Sequence, residues 1–212
     1  MVPQDATPRI ETLSEPLDPL LLEEVAEILT RGGLAVLPTD TVYGLCVSPE
    51  SDTGLRHLFQ LKRRDPNNPV PLFAADIRQA RTIARFDPIA ERLAARFWPG
   101  ALTLALPRRP GFDWDLGGDP NSIGIRVPNS PFLRQLCERV GVITGTSANL
   151  SGEPPALSVE EAANAFGTAV DIYVDGGKAA SSVPSTVVAV GDRVEILRQG
   201  AIPAEEILQA TR

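Results

Sequence analysis

The chain has 212 residues, a formal net charge of −7, 43% hydrophobic residues and 22% charged residues. That length suits one domain with a substantial core, no apolar run is long enough to cross a bilayer, and the acidic balance argues against a module that holds nucleic acid by surface charge alone. Cys46 and Cys137 lie far apart in apolar surroundings and His57 is the single histidine, so the expectation is two buried thiols and no histidine-based metal site.

Met1-Val2-Pro3-Gln4-Asp5 lacks the basic and apolar regions of a signal peptide, which makes a cytoplasmic protein the default expectation. Residues 1–15, polar and proline-containing, read as an N-terminal arm or an edge strand ahead of one catalytic domain over 16–212. Asp18-Pro19 is an N-cap followed by proline in the first helical turn. Leu21, Val25, Ile28 and Leu29 share one face of that helix, and Gly32-Gly33 ends it. Leu34 to Leu37 reads as a buried strand. The same alternation predicts a helix from Leu55 into Lys62-Arg63-Arg64, a strand over Val70 to Ala74, and helices over Ile77 to Ala84 and Ile89 to Phe97. Strands over Ala101 to Leu106 and Ser122 to Val127 flank a surface loop, Pro107 to Asn121, that is free to move by composition. Ser130-Pro131 opens a helix to Val140, Ser158 with Glu161 forms a capping box, and Ile172 to Val174 is a strand. The last two strands, Thr186 to Val190 and Glu195 to Leu197, are joined by a Gly191-Asp192 turn. Helices and strands alternate throughout, so the predicted class is α/β with a mixed, twisted sheet.

Chemistry concentrates at strand ends. Thr144-Gly145-Thr146-Ser147-Ala148-Asn149-Leu150-Ser151-Gly152 follows a short apolar run and crowds hydroxyls, a carboxamide and two glycines into one loop, a composition suited to a polyanion or a polar small molecule. Pro38-Thr39-Asp40-Thr41 places Thr39 and Thr41 at another strand end, either as donors to a ligand or as part of a turn capped by Asp40. Lys62, Arg63 and Arg64 either complement a helix dipole in solvent or face a phosphate, where a cation within about 4 Å contributes roughly 4 kcal/mol at an effective dielectric near 20. Ser122, Gly124 and Arg126 share one face of their strand. Arg126 is then either half of a structural ion pair or a bidentate clamp on a carboxylate or phosphate. Ser185-Thr186 opens one strand and Arg198 closes its hairpin partner, so these ends should meet; a surface arginine is the alternative. There is no P-loop and no dinucleotide fingerprint, and Gly145-Thr146-Ser147-Ala148-Asn149 has asparagine where a nucleophile elbow has its final glycine.

Taken together, PTDTVYGL, Lys62-x-Arg64, Trp98-Pro99-Gly100-Ala101-Leu102-Thr103, IGIRVP, TSANLSG, and Ser185-Thr186 with Leu197-Arg198-x-Gly200 resemble, in order and over roughly residues 15–205, the YrdC-like threonylcarbamoyl-AMP synthases. The resemblance implies a twisted α/β sheet flanked by helices around a concave, positively lined cavity. It implies condensation of L-threonine, bicarbonate and ATP to threonylcarbamoyl-AMP and pyrophosphate, a nucleotidyl transfer. A separate threonylcarbamoyl transferase complex then modifies an adenosine of tRNA; whether tRNA itself is a partner of this chain stays open. By likeness, Thr39, Arg126, Gly145 and Ser185 hold threonine. Lys62, Arg64, Ser122, Ser147, Asn149 and Arg198 bind ATP, with Lys62 and Arg64 the catalytic cations. Mg²⁺ would arrive on the nucleotide, since no carboxylate cluster forms a cage. An N-carboxylate of threonine is itself a nucleophile, so the protein need supply only alignment and charge neutralisation.

This sequence departs from the family pattern at Asp65, where proline usually follows Lys-x-Arg, at Pro155, a position that is often serine, and at Phe73, where some members have histidine. The expected chain also lacks the extra C-terminal domain of longer members. Two other readings compete: an RNA-binding YrdC-like module, disfavoured by the acidic balance and the 5% aromatic content, and a carbamoyl-transferring relative with another acceptor.

Overall fold

A computed structural model of the chain describes residues 7–191 and 193–211. The signal-peptide reading of Met1 to Asp5 and the Asp192 half of the predicted turn lie outside the described residues.

Along the chain run β1 (Ile10–Thr12), α1 (Pro19–Thr30), β2 (Ala35–Leu37), β3 (Gly44–Cys46), α2 (Asp52–Leu61), β4 (Leu72–Phe73), α3 (Ile77–Ile83) and α4 (Pro88–Phe97). These are followed by β5 (Leu102–Pro107), β6 (Ser122–Arg126), α5 (Pro131–Val140), β7 (Ile143–Thr144), β8 (Thr146–Ser147) and α6 (Val159–Phe166). After a short 3₁₀ turn come β9 (Ile172–Asp175), β10 (Thr186–Val190), β11 (Val194–Arg198) and α7 (Ala204–Ala210). Local chemistry sets the helix starts. Asp18, Ser51, Asp76, Asp87, Ser130 and Ser158 each accept a hydrogen bond from a first-turn amide, relieving donors that the helix cannot satisfy itself. The predicted capping box at Ser158 is half formed: Ser158 takes the Glu161 amide, whereas the Glu161 carboxylate takes the amide of Leu157.

The expected α/β class holds, with one correction: the strands form two mixed sheets, not one. The first runs β1-β9-β2-β3-β8 and the second β11-β10-β5-β6-β4-β7. Of the two options for the N-terminal arm, residues 10–12 take the edge strand, pairing parallel to β9. Along Leu34 and β2, Leu34 and Val36 enter one apolar cluster while Ala35 and Leu37 enter another with α1 and α5. Burial on both faces explains why that strand reads as a continuous apolar run.

The two sheets meet in the hydroxyl-rich segment. β7 pairs with β4 of the second sheet, β8 pairs with β3 of the first, and Gly145 alone separates them. Thr144 ties the seam twice, donating its amide to the Val47 carbonyl (2.9 Å) and accepting the Val47 amide on its buried hydroxyl (2.8 Å). The surface loop between β5 and β6 makes contacts of its own. Arg108 donates to the carbonyls of Phe112, Trp114 and Ser122, Phe112 packs on Trp114, and Leu116 is buried.

Candidate active site

A cavity of about 560 Å³ opens between the two sheets, within the size range of small-molecule sites. Its floor follows from strand alternation. On β5, Leu102, Leu104 and Leu106 are buried in the core while Thr103 and Ala105 line the cavity; on β6, Ile123 and Ile125 face the core while Ser122, Gly124 and Arg126 line the cavity. Small side chains at 103, 105 and 124 leave the room. Gly44 contributes from β3, Thr39 and Thr41 from the loop before it, and Ser185, Val187, Leu197 and Arg198 from the terminal hairpin.

Of the two readings of Arg126, the ion pair is present, and its partner is Asp40. Its guanidinium pairs with Asp40 at 2.6 Å, donates to Thr41 Oγ1 at 3.1 Å, and sends Nε to the Gly100 carbonyl at 2.9 Å. Residue 126 is 3% exposed yet lines the cavity. Burial pulls its pKa down, and Asp40 works against that shift. Three of its five N–H groups have protein partners, leaving two without one among the described residues. Asp40 therefore does not simply cap its own turn. It holds an arginine 86 positions away.

Arg64 and Arg198 supply the remaining cavity cations. Arg64 donates to the carbonyls of Asn68 and Pro69, both at 2.8 Å. Arg198 donates to the Ser185 carbonyl at 2.8 Å, so the two hairpin ends meet as expected. Burial lowers the pKa of both, with a further contribution from Arg198 on Arg64 and from Arg126 on Arg198. The three arginines thus feel one another, and only Arg126 has a carboxylate partner among the described ion pairs. Such a site favours an anion carrying several charges.

Hydroxyls surround these cations. Ser185 Oγ lies 2.9 Å from Thr103 Oγ1, and Thr39 accepts the Thr41 amide while donating to the Val42 carbonyl. Gly145 lines the cavity because nothing larger fits: a Cβ there would stand 2.3 Å from the Phe73 ring, whose face also lies 5.8 Å from the Arg126 guanidinium. Gly200 answers a similar constraint, since a Cβ would meet the backbone of residues 184–186 at 2.3–2.4 Å.

Of the residues singled out in the sequence, Thr39, Arg64, Ser122, Arg126, Gly145, Ser147, Ser185 and Arg198 converge on this cavity. Lys62 and Asn149 do not line it. Lys62 is 1% exposed and its ammonium is bonded to the carbonyls of Ser147 (2.5 Å) and Asn149 (2.6 Å). Asn149 donates to the Leu150 and Glu153 carbonyls and borders a separate hollow of about 360 Å³. Sequence reasoning left Thr103, Thr146 and the Asp40–Arg126 pair out of the site. The signal for Thr103 was present, as a lone hydroxyl alternating with leucines; the Asp40 partnership had none. Among the described residues, no group of three or more histidine, cysteine or carboxylate side chains is placed to hold a metal ion, and no helix is long and apolar enough to cross a membrane.

The Sua5/YciO/YrdC family model, described as telomere recombination, matches residues 27–200. A putative threonylcarbamoyl-AMP synthase of Methanocaldococcus jannaschii is 30% identical over 200 residues, covering 94% of this chain and 95% of its own. The threonylcarbamoyl-AMP synthase of Pyrococcus abyssi is 34% identical over 187 residues, covering 86% of this chain and 54% of its own. The crystal structure of P. abyssi Sua5 complexed with L-threonine superposes with a TM-score of 0.89 at 31% identity, covering 95% of this chain and 60% of that one.

Proposed function

Because the chain belongs to the Sua5/YciO/YrdC family, we propose that it is a threonylcarbamoyl-AMP synthase acting in tRNA threonylcarbamoyladenosine formation in the cytoplasm. The observation that carries this reading is the convergence of Arg64, Arg126 and Arg198 with Ser147 and Ser185 on one cavity. Three cations with a single carboxylate partner suit a triphosphate. The two spare N–H groups of Arg126 suit the carboxylate of an amino acid, with the hydroxyls of Thr39 and Ser185 beside it.

The chemistry asks little else of the protein. The neutral threonine amine forms an N–C bond to bicarbonate carbon, and one amine proton leaves with the bicarbonate hydroxyl as water. A carboxylate oxygen of the resulting carbamate then attacks the α-phosphorus of ATP, and the bond to the bridging oxygen breaks to release pyrophosphate. Arg64 and Arg198 neutralise the leaving phosphates, while Arg126 fixes the amino acid beside them. Asp119 is the one carboxylate among the described cavity-lining residues, a donor set that fits Mg²⁺ held mostly by phosphate oxygens and water. When bound, Mg²⁺ offsets phosphate charge.

The test is pyrophosphate release by purified protein. Release should require ATP, L-threonine and bicarbonate together. Release independent of threonine would remove the substrate assignment. Salt-sensitive tRNA binding without ATP turnover would instead support an RNA-binding module.

A further inference from the structure

Lys62 stands apart from its neighbour Arg64. The chain leaves α2 through Arg63, which adopts the left-handed conformation at φ 50, and the Arg64 amide closes back on the Phe59 carbonyl at 2.9 Å. This turn sends the two cations in different directions. Arg64 lines the cavity; Lys62 does not, and is buried behind the loop over residues 147–151.

Three hydrogen bonds join residue 62 to that loop. Its Nζ donates to the Ser147 and Asn149 carbonyls, and its own carbonyl accepts the Ser151 amide at 2.9 Å. From outside the loop, Tyr43 adds a bond, accepting the Ala148 amide at 2.8 Å. The Asn149 side chain spends its donors on carbonyls of the same segment. Ser147, which faces the cavity, is thus anchored through its own carbonyl by Lys62.

We propose that Lys62 is a positioning residue: its side chain fixes the loop over residues 147–151 and acts on the nucleotide through that loop, not by touching phosphate. The proposal rests on the synthase reading for the identity of the nucleotide. An ordered loop presents Ser147 in place before ATP arrives, so binding need not supply the ordering free energy.

The test combines two measurements on wild type, Lys62→Met, Ser147→Ala and the double variant. Hydrogen exchange in ligand-free protein should be at least about tenfold faster at the amides of Ala148 and Ser151 in Lys62→Met, because local opening is then easier. ATP affinity, by titration calorimetry, should fall roughly tenfold in each single variant, with the double variant no weaker than Lys62→Met, as expected for residues acting as one unit. Lys62→Gln, which keeps a shorter donor group without the charge, should lie between wild type and Lys62→Met and serves if the methionine variant does not fold. Unchanged exchange, or losses that add, would overturn the proposal, as would faster exchange with unaltered ATP affinity. Failure of the wild type to bind ATP would sink the synthase reading instead, while the exchange data would still decide whether Lys62 orders the loop.

Discussion

Arg126 and Asp40 are buried together, at 4% and 12% side-chain exposure, and each needs the other. Arg126→Ala leaves the Asp40 carboxylate without its cation. Breaking such a pair costs about 3–5 kcal/mol, measurable by urea denaturation, and threonine-dependent pyrophosphate release should vanish. Arg126→Lys keeps the charge but cannot reach Gly100, Thr41 and Asp40 at once; its threonine KM should rise far more than its ATP KM, and an equal rise would contradict the carboxylate role. Lys62 makes a pH-dependent prediction. Burial, with a smaller contribution from the Arg64 charge, lowers its pKa from 10.5 to about 7. Between those values the unfolded chain binds the proton and the folded chain does not, so stability rises with pH across that window. Below about pH 7 both states are protonated, and the cost of the buried charge is fully present. Wild type should therefore gain stability relative to Lys62→Met between pH 7 and 10, and a constant difference in urea melts would refute the burial effect. At this scale the sequence showed which residues carry charge or hydroxyls and which strand face they occupy. It did not show that Asp40 belongs to Arg126, because no local rule links positions 86 apart.

Elements were legible where their signals are local. The caps at Asp18, Ser130 and Ser158 stand within three residues of the amides they satisfy, so short-range composition suffices to place them. Asp87 accepts the Ala90 amide at 2.7 Å, and neither residue is among the described cavity-lining set. Asp87→Ala should cost about 1 kcal/mol of stability with pyrophosphate release unchanged; a loss of turnover would mean that α4 couples to the site. Among the shortest elements, β2 and β4 were read but others were not. β3 starts at the last two residues of the PTDTVYGL motif, and β7 and β8 are two residues each, too short for any periodicity to emerge. α7, seven residues behind Pro203, buries only Ile207, so it shows no apolar face to read.

Across the whole molecule, the cavity exists because one chain segment belongs to both sheets. Thr144 anchors that seam with a fully buried hydroxyl. Thr144→Val preserves shape but orphans the Val47 amide, which should cost about 1–3 kcal/mol in urea denaturation. It should also weaken ATP and threonine binding together, since Gly145, Thr146 and Ser147 of the seam line the cavity proposed for both; wild-type affinity for both would show that the sheets hold their spacing without it. By itself the sequence determined the alternation of helices and strands, the capped starts, the polar face of β6 and the family motifs, all properties of neighbours along the chain. Tertiary structure alone decided that the strands divide into two sheets, that Arg126 finds Asp40, and that Lys62 turns away from the cavity that Arg64 enters. The physical reason is that sheet partnership and buried charge pairing are selected by what the rest of the chain brings near, and a one-residue hinge such as Gly145 carries no local mark of the two sheets it joins.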